Sequence, residues 1–267
     1  MARPNLTIED VQQLLPEVTD IHFVDECGEI MIPLLRKKID YSEQEMADAF
    51  DQFLRLNIID SELPSFASVV REAQCSHGRP DFVGVKFRGE YCFNKPLQPI
   101  GLVSSFVLSQ LKIASPRTWD YLRSRCVYSE SSLKRSLREL TELKYVKFIK
   151  SPQGNSKYFL NENFNFTDYD IWSFELKLHN ARRAVFQAQQ SRIFADRSMI
   201  VIPPGKENVY SKMFHESLKR FGIGLAIFDL HKSEFSIIIH PEKTKAICKQ
   251  NHIYTLFHNF QPQQAYK

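Results

Sequence analysis

The stretch Phe174-Glu175-Leu176-Lys177, followed by Arg182-Arg183-Ala184-Val185-Phe186-Gln187-Ala188, decides the reading of this chain. Residues 171–178 form a strand-like run, and the apolar spacing over 180–194 predicts an amphipathic helix. Successive strand side chains point to opposite faces, so Glu175 and Lys177 share one face. Alone the pair carries little. Glu-x-Lys arises about once by chance in a chain of ordinary composition, and a second copy stands at Glu142-Leu143-Lys144. That copy lies at a helix end before a hairpin and reads as solvent-exposed. The surroundings of the first copy set it apart.

The chain has 267 residues, 43% hydrophobic and 25% charged, enough for one large domain or two modest ones. A net charge of +4 and a pI near 8.7 permit a nucleic-acid partner without implying one. Five cysteines, odd in number and scattered without Cys-x-x-Cys spacing, read as reduced thiols of an intracellular, cytoplasmic protein. The first residues lack an apolar signal core, and no apolar run is long enough to predict a membrane span.

Downstream of the Glu-x-Lys strand, 198–203 reads as a buried strand ended by Pro203. Residues 210–221 read as a helix closed by Gly222, and 224–229 with 235–239 as a hairpin. Strands alternating with helices argue for an α/β sheet with helices packed on it. Upstream, 7–15 predicts a short helix and 21–24 a short strand. Residues 41–56 predict a firmer helix: Ser42 and Glu45 make a capping box, and Met46, Phe50, Phe53 and Leu54 recur at helical spacing. Glu43 shares their inward face. Gly78-Arg79-Pro80-Asp81 is a turn into the strand 82–87, and 91–93 returns as a short strand.

The character changes at Pro96. Residues 103–111 predict an apolar helix, and Ser115-Pro116 opens a second that runs to Leu122. Ser129 opens a third, with Leu133, Leu137 and Leu140 as its buried stripe. A hairpin of 145–150 and 157–160 follows. Three helices and a basic hairpin are the order of a winged helix.

Together these pieces resemble the PD-(D/E)xK, restriction-endonuclease-like nuclease family. The resemblance rests on Pro80-Asp81 at the head of one strand and Glu175-Leu176-Lys177 in the next. Gln187-Ala188 on the following helix and Ala195-Asp196-Arg197 before a strand ending in Pro add to it. The two catalytic strands of that family are usually joined by a short hairpin, yet here 94 positions separate Asp81 from Glu175. Subtracting the winged-helix stretch restores an ordinary spacing, and insertion into a loop tip is tolerated because closure entropy grows slowly with loop length. The expected fold is therefore α/β (α+β): a restriction-endonuclease-like mixed central sheet flanked by helices. The expected organisation is a nuclease core of 1–95 and 165–267 with a winged helix-turn-helix inserted at 96–164.

The residue types fit the chemistry. Hard divalent cations take carboxylate oxygens, so Asp81 and Glu175 are candidate ligands of one Mg²⁺ or Mn²⁺. The resemblance adds the backbone carbonyl of Leu176. Lys177 would hold or deprotonate the attacking water and offset charge on the phosphorane. Glu43 would bind a second metal or orient water, with Glu62, in a possible strand Ser61-Glu62-Leu63, as the alternative third acid. Gln187 matches the family's helix glutamine. The tyrosine often found four residues later is replaced by Ser191. His179 reads as structural or substrate-touching, and Gly205-Lys206 lacks the spacing of a phosphate loop.

On the winged helix, Lys134, Arg135 and Arg138 with Lys147, Lys150 and Lys157 favour phosphate contact, and Ser131, Ser132 and Arg135 are the base-facing candidates. The expectation is a metal-dependent endonuclease acting on double-stranded DNA, in a prokaryotic restriction, defence or mobile-element setting suggested by the resemblance. Cutting both strands calls for a homodimer or partner subunit. The competing readings are a non-catalytic DNA-binding or assembly protein on a decayed nuclease core, and a nuclease for RNA or for nicked or single-stranded DNA.

Overall fold

This computed structural model describes residues 40–56, 62–88, 97–150, 156–161 and 169–260. Strand β6 (Tyr169–Leu176) is buried at every position, as befits a strand covered on both faces. It is the hub of a six-stranded mixed sheet. β1 (Ser68–Arg71) and β2 (Phe82–Phe87) lie on one side of it. β7 (Arg197–Ile202), β8 (Ile223–Asp229) and β9 (Glu234–Ile239) lie on the other, in the order β1-β2-β6-β7-β8-β9. β2 pairs antiparallel with β6, whereas β6, β7 and β8 run parallel. The expected mixed α/β sheet flanked by helices is thus present. Among the described residues no helix is long and apolar enough to cross a membrane.

Helix α1 (Glu43–Arg55) starts where the capping box predicts. Glu45 N–H donates to Ser42 Oγ at 3.1 Å, and Ser42 N–H donates back to Glu45 Oε2 at 2.7 Å, an exchange worth about 1 kcal/mol. Its inward stripe brings Phe50 against Phe53, Phe82, Phe174, Phe228 and Phe235. α1 is thereby fixed over β2, β6 and β8. Beside this hub, a Cβ on Gly84 would lie 2.7 Å from the Phe66 ring, so only glycine lets that ring lie against β2.

The connection from β2 to β6 carries α2 (Leu102–Gln110), β3 (Arg117–Thr118), α3 (Trp119–Arg125), α4 (Glu130–Glu142), β4 (Val146–Ile149) and β5 (Lys157–Leu160). β3, β5 and β4 form a small antiparallel sheet in that order. The leucine stripe of α4, Leu133, Leu137 and Leu140, lies in a core that continues through Val83, Val85 and Ile171 of the large sheet. A terminal helix α8 (Lys249–Asn259) contributes Ile253, Leu256 and Phe257 to that core and packs against α2.

Several expectations change. The helix expected from Ser115-Pro116 begins later: residues 117–118 form β3, and Thr118 Oγ1 caps α3 by accepting Tyr121 N–H. Pairing with β5 holds these residues extended against the local capping signal. Residues 62–63 are a bend, not a strand. Glu62 Oε2 accepts from Ile237 N–H of the edge strand β9, away from β2 and β6. The helix expected over 210–221 is two, α6 (Glu207–Met213) and α7 (His215–Phe221), broken at Phe214. α7 ends on Gly222 at φ 60°, as its glycine predicts. The expected elements at 7–15, 21–24 and 91–93 lie outside the described residues. Of the five cysteines, Cys75, Cys126 and Cys248 are free thiols.

Candidate active site

Four of the expected site residues come together where β6 ends between β2 and β7. Lys177 continues β6 by donating its N–H to Val201 O of β7 at 3.0 Å. Its ammonium donates to Glu43 Oε1 at 2.9 Å and lies 3.4 Å from Asp81 Oδ2. Asp81 immediately precedes β2, and its Oδ2 accepts Leu176 N–H at 2.7 Å. Glu43 Oε2 accepts Leu178 N–H at 3.4 Å. One lysine thus joins the first turn of α1 to the head of β2. Glu43 is engaged by this ammonium, whereas the sequence suggested a metal or water for it.

Glu175 is 2% exposed, and its Oε2 is buried without a hydrogen-bond partner. Burial pushes its carboxyl up to about 8; the Asp81 and Glu43 carboxylates reinforce the rise, and Lys177 and Arg183 oppose it. For Lys177, burial pulls downward. The hydrogen bond to Glu43 and the charges of Asp81, Glu43 and Glu175 outweigh it and hold the ammonium above its usual value. Lys177 is therefore a fixed positive charge at neutral pH, suited to steadying charge and unsuited to taking a proton. Tyr210 of α6 is a neighbour that the sequence did not single out. Its hydroxyl is pushed up to about 12 by burial and by the nearby Glu43. Only the packing of α6 against the sheet brings it here, so no local motif signals it.

A carboxyl whose folded pKa exceeds its unfolded value stabilises the fold fully below the unfolded value, and that stability is lost as pH rises through the folded one. For Glu175 the window runs from 4.5 to about 8. Glu175→Gln keeps the shape and removes the titration. The variant is expected to match the parent near pH 4.5 and to exceed it above pH 8 by on the order of 4 kcal/mol. Urea unfolding at the two pH values measures this, and identical pH slopes would refute it.

Among the described residues no three His, Cys, Asp or Glu side chains form a ready-made metal cage. The site nonetheless fits a hard divalent cation bound by few protein ligands. Glu175 offers a buried, unpartnered oxygen, and Asp81 keeps Oδ1 out of its bonds to Leu176 and Lys177. A strand residue directs its N–H and C=O to the same edge, so the Leu176 carbonyl opens toward Asp81 as its amide does. Two carboxylates and a carbonyl suit Mg²⁺, which keeps several waters and substrate oxygens.

The remaining candidates divide. Gln187 of helix α5 (Ala181–Ser191) is half-buried, and its Oε1 also lacks a partner. Ser191 is buried at the end of α5. His179 and Gly205 lie exposed in loops and Lys206 is half-buried beside Gly205. On α4, Lys134, Arg135 and Arg138 are exposed, with Lys134 paired to Glu130 at 2.5 Å and lying over Trp119. Lys147, Lys150 and Lys157 are exposed on the hairpin. Ser131 and Ser132 are drawn into the cap: Ser129 Oγ accepts Ser132 N–H at 3.2 Å and stands 3.0 Å from Ser131 Oγ. No protein-family model matches the chain, and the search of curated proteins finds no similar one.

Proposed function

We propose that this chain is a Mg²⁺- or Mn²⁺-dependent endodeoxyribonuclease built on a restriction-endonuclease-like core. Residues 96–164 act in this reading as an inserted winged helix that holds duplex DNA. The observation that carries it is the Lys177 ammonium braced by Glu43 and Asp81 beside Glu175, a buried carboxyl with an unpartnered oxygen. A structural ion pair needs no such buried acid, whose desolvation costs stability unless a cation offsets it.

Asp81 and Glu175 would hold the cation, which supplies Lewis-acid charge beside the scissile phosphate. Lys177 orients the attacking water and stabilises the negative charge that grows on the phosphoryl oxygens. Glu43 fixes the direction of that ammonium. Water adds to phosphorus, one P–O ester bond breaks, and the departing oxygen takes up a proton. The products are a phosphate monoester and an alcohol. The exposed cations of α4 and the hairpin serve as phosphate contacts for the duplex, and two copies or a partner subunit would cut both strands.

The test is conversion of supercoiled plasmid to nicked or linear forms with Mg²⁺ or Mn²⁺. The parent chain is expected to cut, and Glu175→Ala is expected not to. Equal cutting by both, or none by the parent on plasmid, would overturn the reading.

A further inference from the structure

Helix α5 follows the Glu-x-Lys strand and buries Ala184, Val185 and Ala188 against β7, β8 and α7. Its opposite arc is exposed and holds Arg182, Arg183 and Phe186. At 100° per residue these three span a roughly 100° arc with Phe186 between the arginines. Phe186 is 58% exposed. Among the described residues neither arginine has an ion-pair or ring partner. Asn180, in the left-handed region at φ 55°, turns the chain directly from the site into α5, accepting Arg183 N–H at 3.2 Å. Asn180 stands three residues after Lys177, so this arc opens directly after the candidate active site. The arc comes from the core sheet and is separate from the cationic face of α4.

An aromatic ring set between two guanidinium groups that have no ion-pair partner among the described residues leaves more than half of its surface outside the chain's own packing. It suits a polyanion that carries apolar sugar between its charges, because arginine pairs with phosphate in bidentate fashion. We propose that Arg182, Arg183 and Phe186 form the cradle for the DNA backbone next to the scissile phosphate. The two arginines neutralise flanking phosphates, and Phe186 packs on the deoxyribose between them. The proposal rests on the nuclease reading and adds to it a binding element inside the core.

Duplex binding separates the two. In a Glu175→Gln chain, which cannot cut, a fluorescent duplex oligonucleotide is titrated at several salt concentrations. Adding Arg182→Gln and Arg183→Gln is expected to weaken binding at least about tenfold at 0.1 M salt. The log–log salt slope should become shallower by about 2, near 0.9 for each phosphate released. Phe186→Ala should weaken binding several-fold with the slope unchanged. Lys219→Gln with Arg220→Gln, an exposed pair on α7, removes equal charge elsewhere and should leave both quantities near the parent's. If the α5 pair changes neither affinity nor slope, or no more than the α7 pair does, the cradle is overturned and the nuclease reading stands. A parent that cuts plasmid but binds duplex without any salt dependence also overturns the cradle. A parent that neither cuts nor binds duplex overturns both.

Discussion

Lys177→Ala is expected to lower plasmid cleavage by roughly 10²–10⁴-fold while leaving a folded protein. The ammonium joins Glu43 and Asp81, at 2.9 and 3.4 Å. Its position is set three times over. The Lys177 amide is tied to Val201, the neighbouring Leu176 amide to Asp81, and the Leu178 amide to Glu43. A side chain held by this much backbone is preorganised for the transition state. Glu43 is already half exposed and Asp81 about a third exposed, so water replaces the lost partner for both. Glu175 makes no hydrogen bond to the ammonium through its buried Oε2, and burial already pushes its carboxyl up to about 8. The cost to stability is therefore expected to be at most about 2 kcal/mol. Cleavage rates with urea unfolding on the same samples check both halves. A variant that cuts at the parent rate removes Lys177 from the chemistry. One that loses cleavage only by unfolding makes it a structural residue.

Phe50→Ala is expected to destabilise the fold by roughly 3–5 kcal/mol, the cost of emptying a large buried aromatic site. Phe50 is fully buried and lies 5.3–6.1 Å, centroid to centroid, from five other phenylalanines. Edge-to-face partners add to the area term. In a domain held by about 5–15 kcal/mol this is a large share, and thermal midpoints should drop by roughly 10 °C. The same hub sets the site. Phe82 follows Asp81, Phe174 precedes Glu175, and Phe50 lies two turns from Glu43 on α1. Cleavage should therefore fall even at temperatures where the variant stays folded. Circular dichroism against temperature measures the first effect and plasmid cutting at low temperature the second. A loss under about 1 kcal/mol would mean that the neighbouring rings close over the gap.

How much of this was legible in the residues varies with how local the cause was. The capping box Ser42–Glu45, the stripe of α4 and the glycine end of α7 all follow from neighbours in sequence. Each appears in the structure. Thr118 displaced the Ser115-Pro116 cap because pairing with β5, some forty residues on, outweighed a signal within one turn. β1 and α8 were missed altogether. β1 is short, and α8 mixes Asn251, His252 and Thr255 into its buried face, which blurs the apolar period. Two of those polar residues meet partners remote in sequence: Asn251 Nδ2 stands 3.1 Å from His77 Nδ1, and His252 lies between Asp196 at 2.8 Å and Tyr169 at 3.1 Å.

By itself the sequence determined the mixed strand-and-helix character, the strand that holds Glu175 and Lys177, and a helical basic segment ahead of that strand. These depend on side-chain period and short-range capping, which neighbouring residues dictate. Only the tertiary structure decided which acid meets the Lys177 ammonium. Glu43 and Glu62 are equal in composition, and the difference is where the chain carries them. The phenylalanine hub lays α1 across β2 and β6 and brings Glu43 to the Lys177 ammonium, while Glu62 is spent on the far edge strand. The state of each group was decided there too. Burial raises the Glu175 carboxyl, and the carboxylates of Glu43, Asp81 and Glu175 hold the Lys177 ammonium above its usual value, because desolvation and Coulomb forces act through space on residues that are remote along the chain.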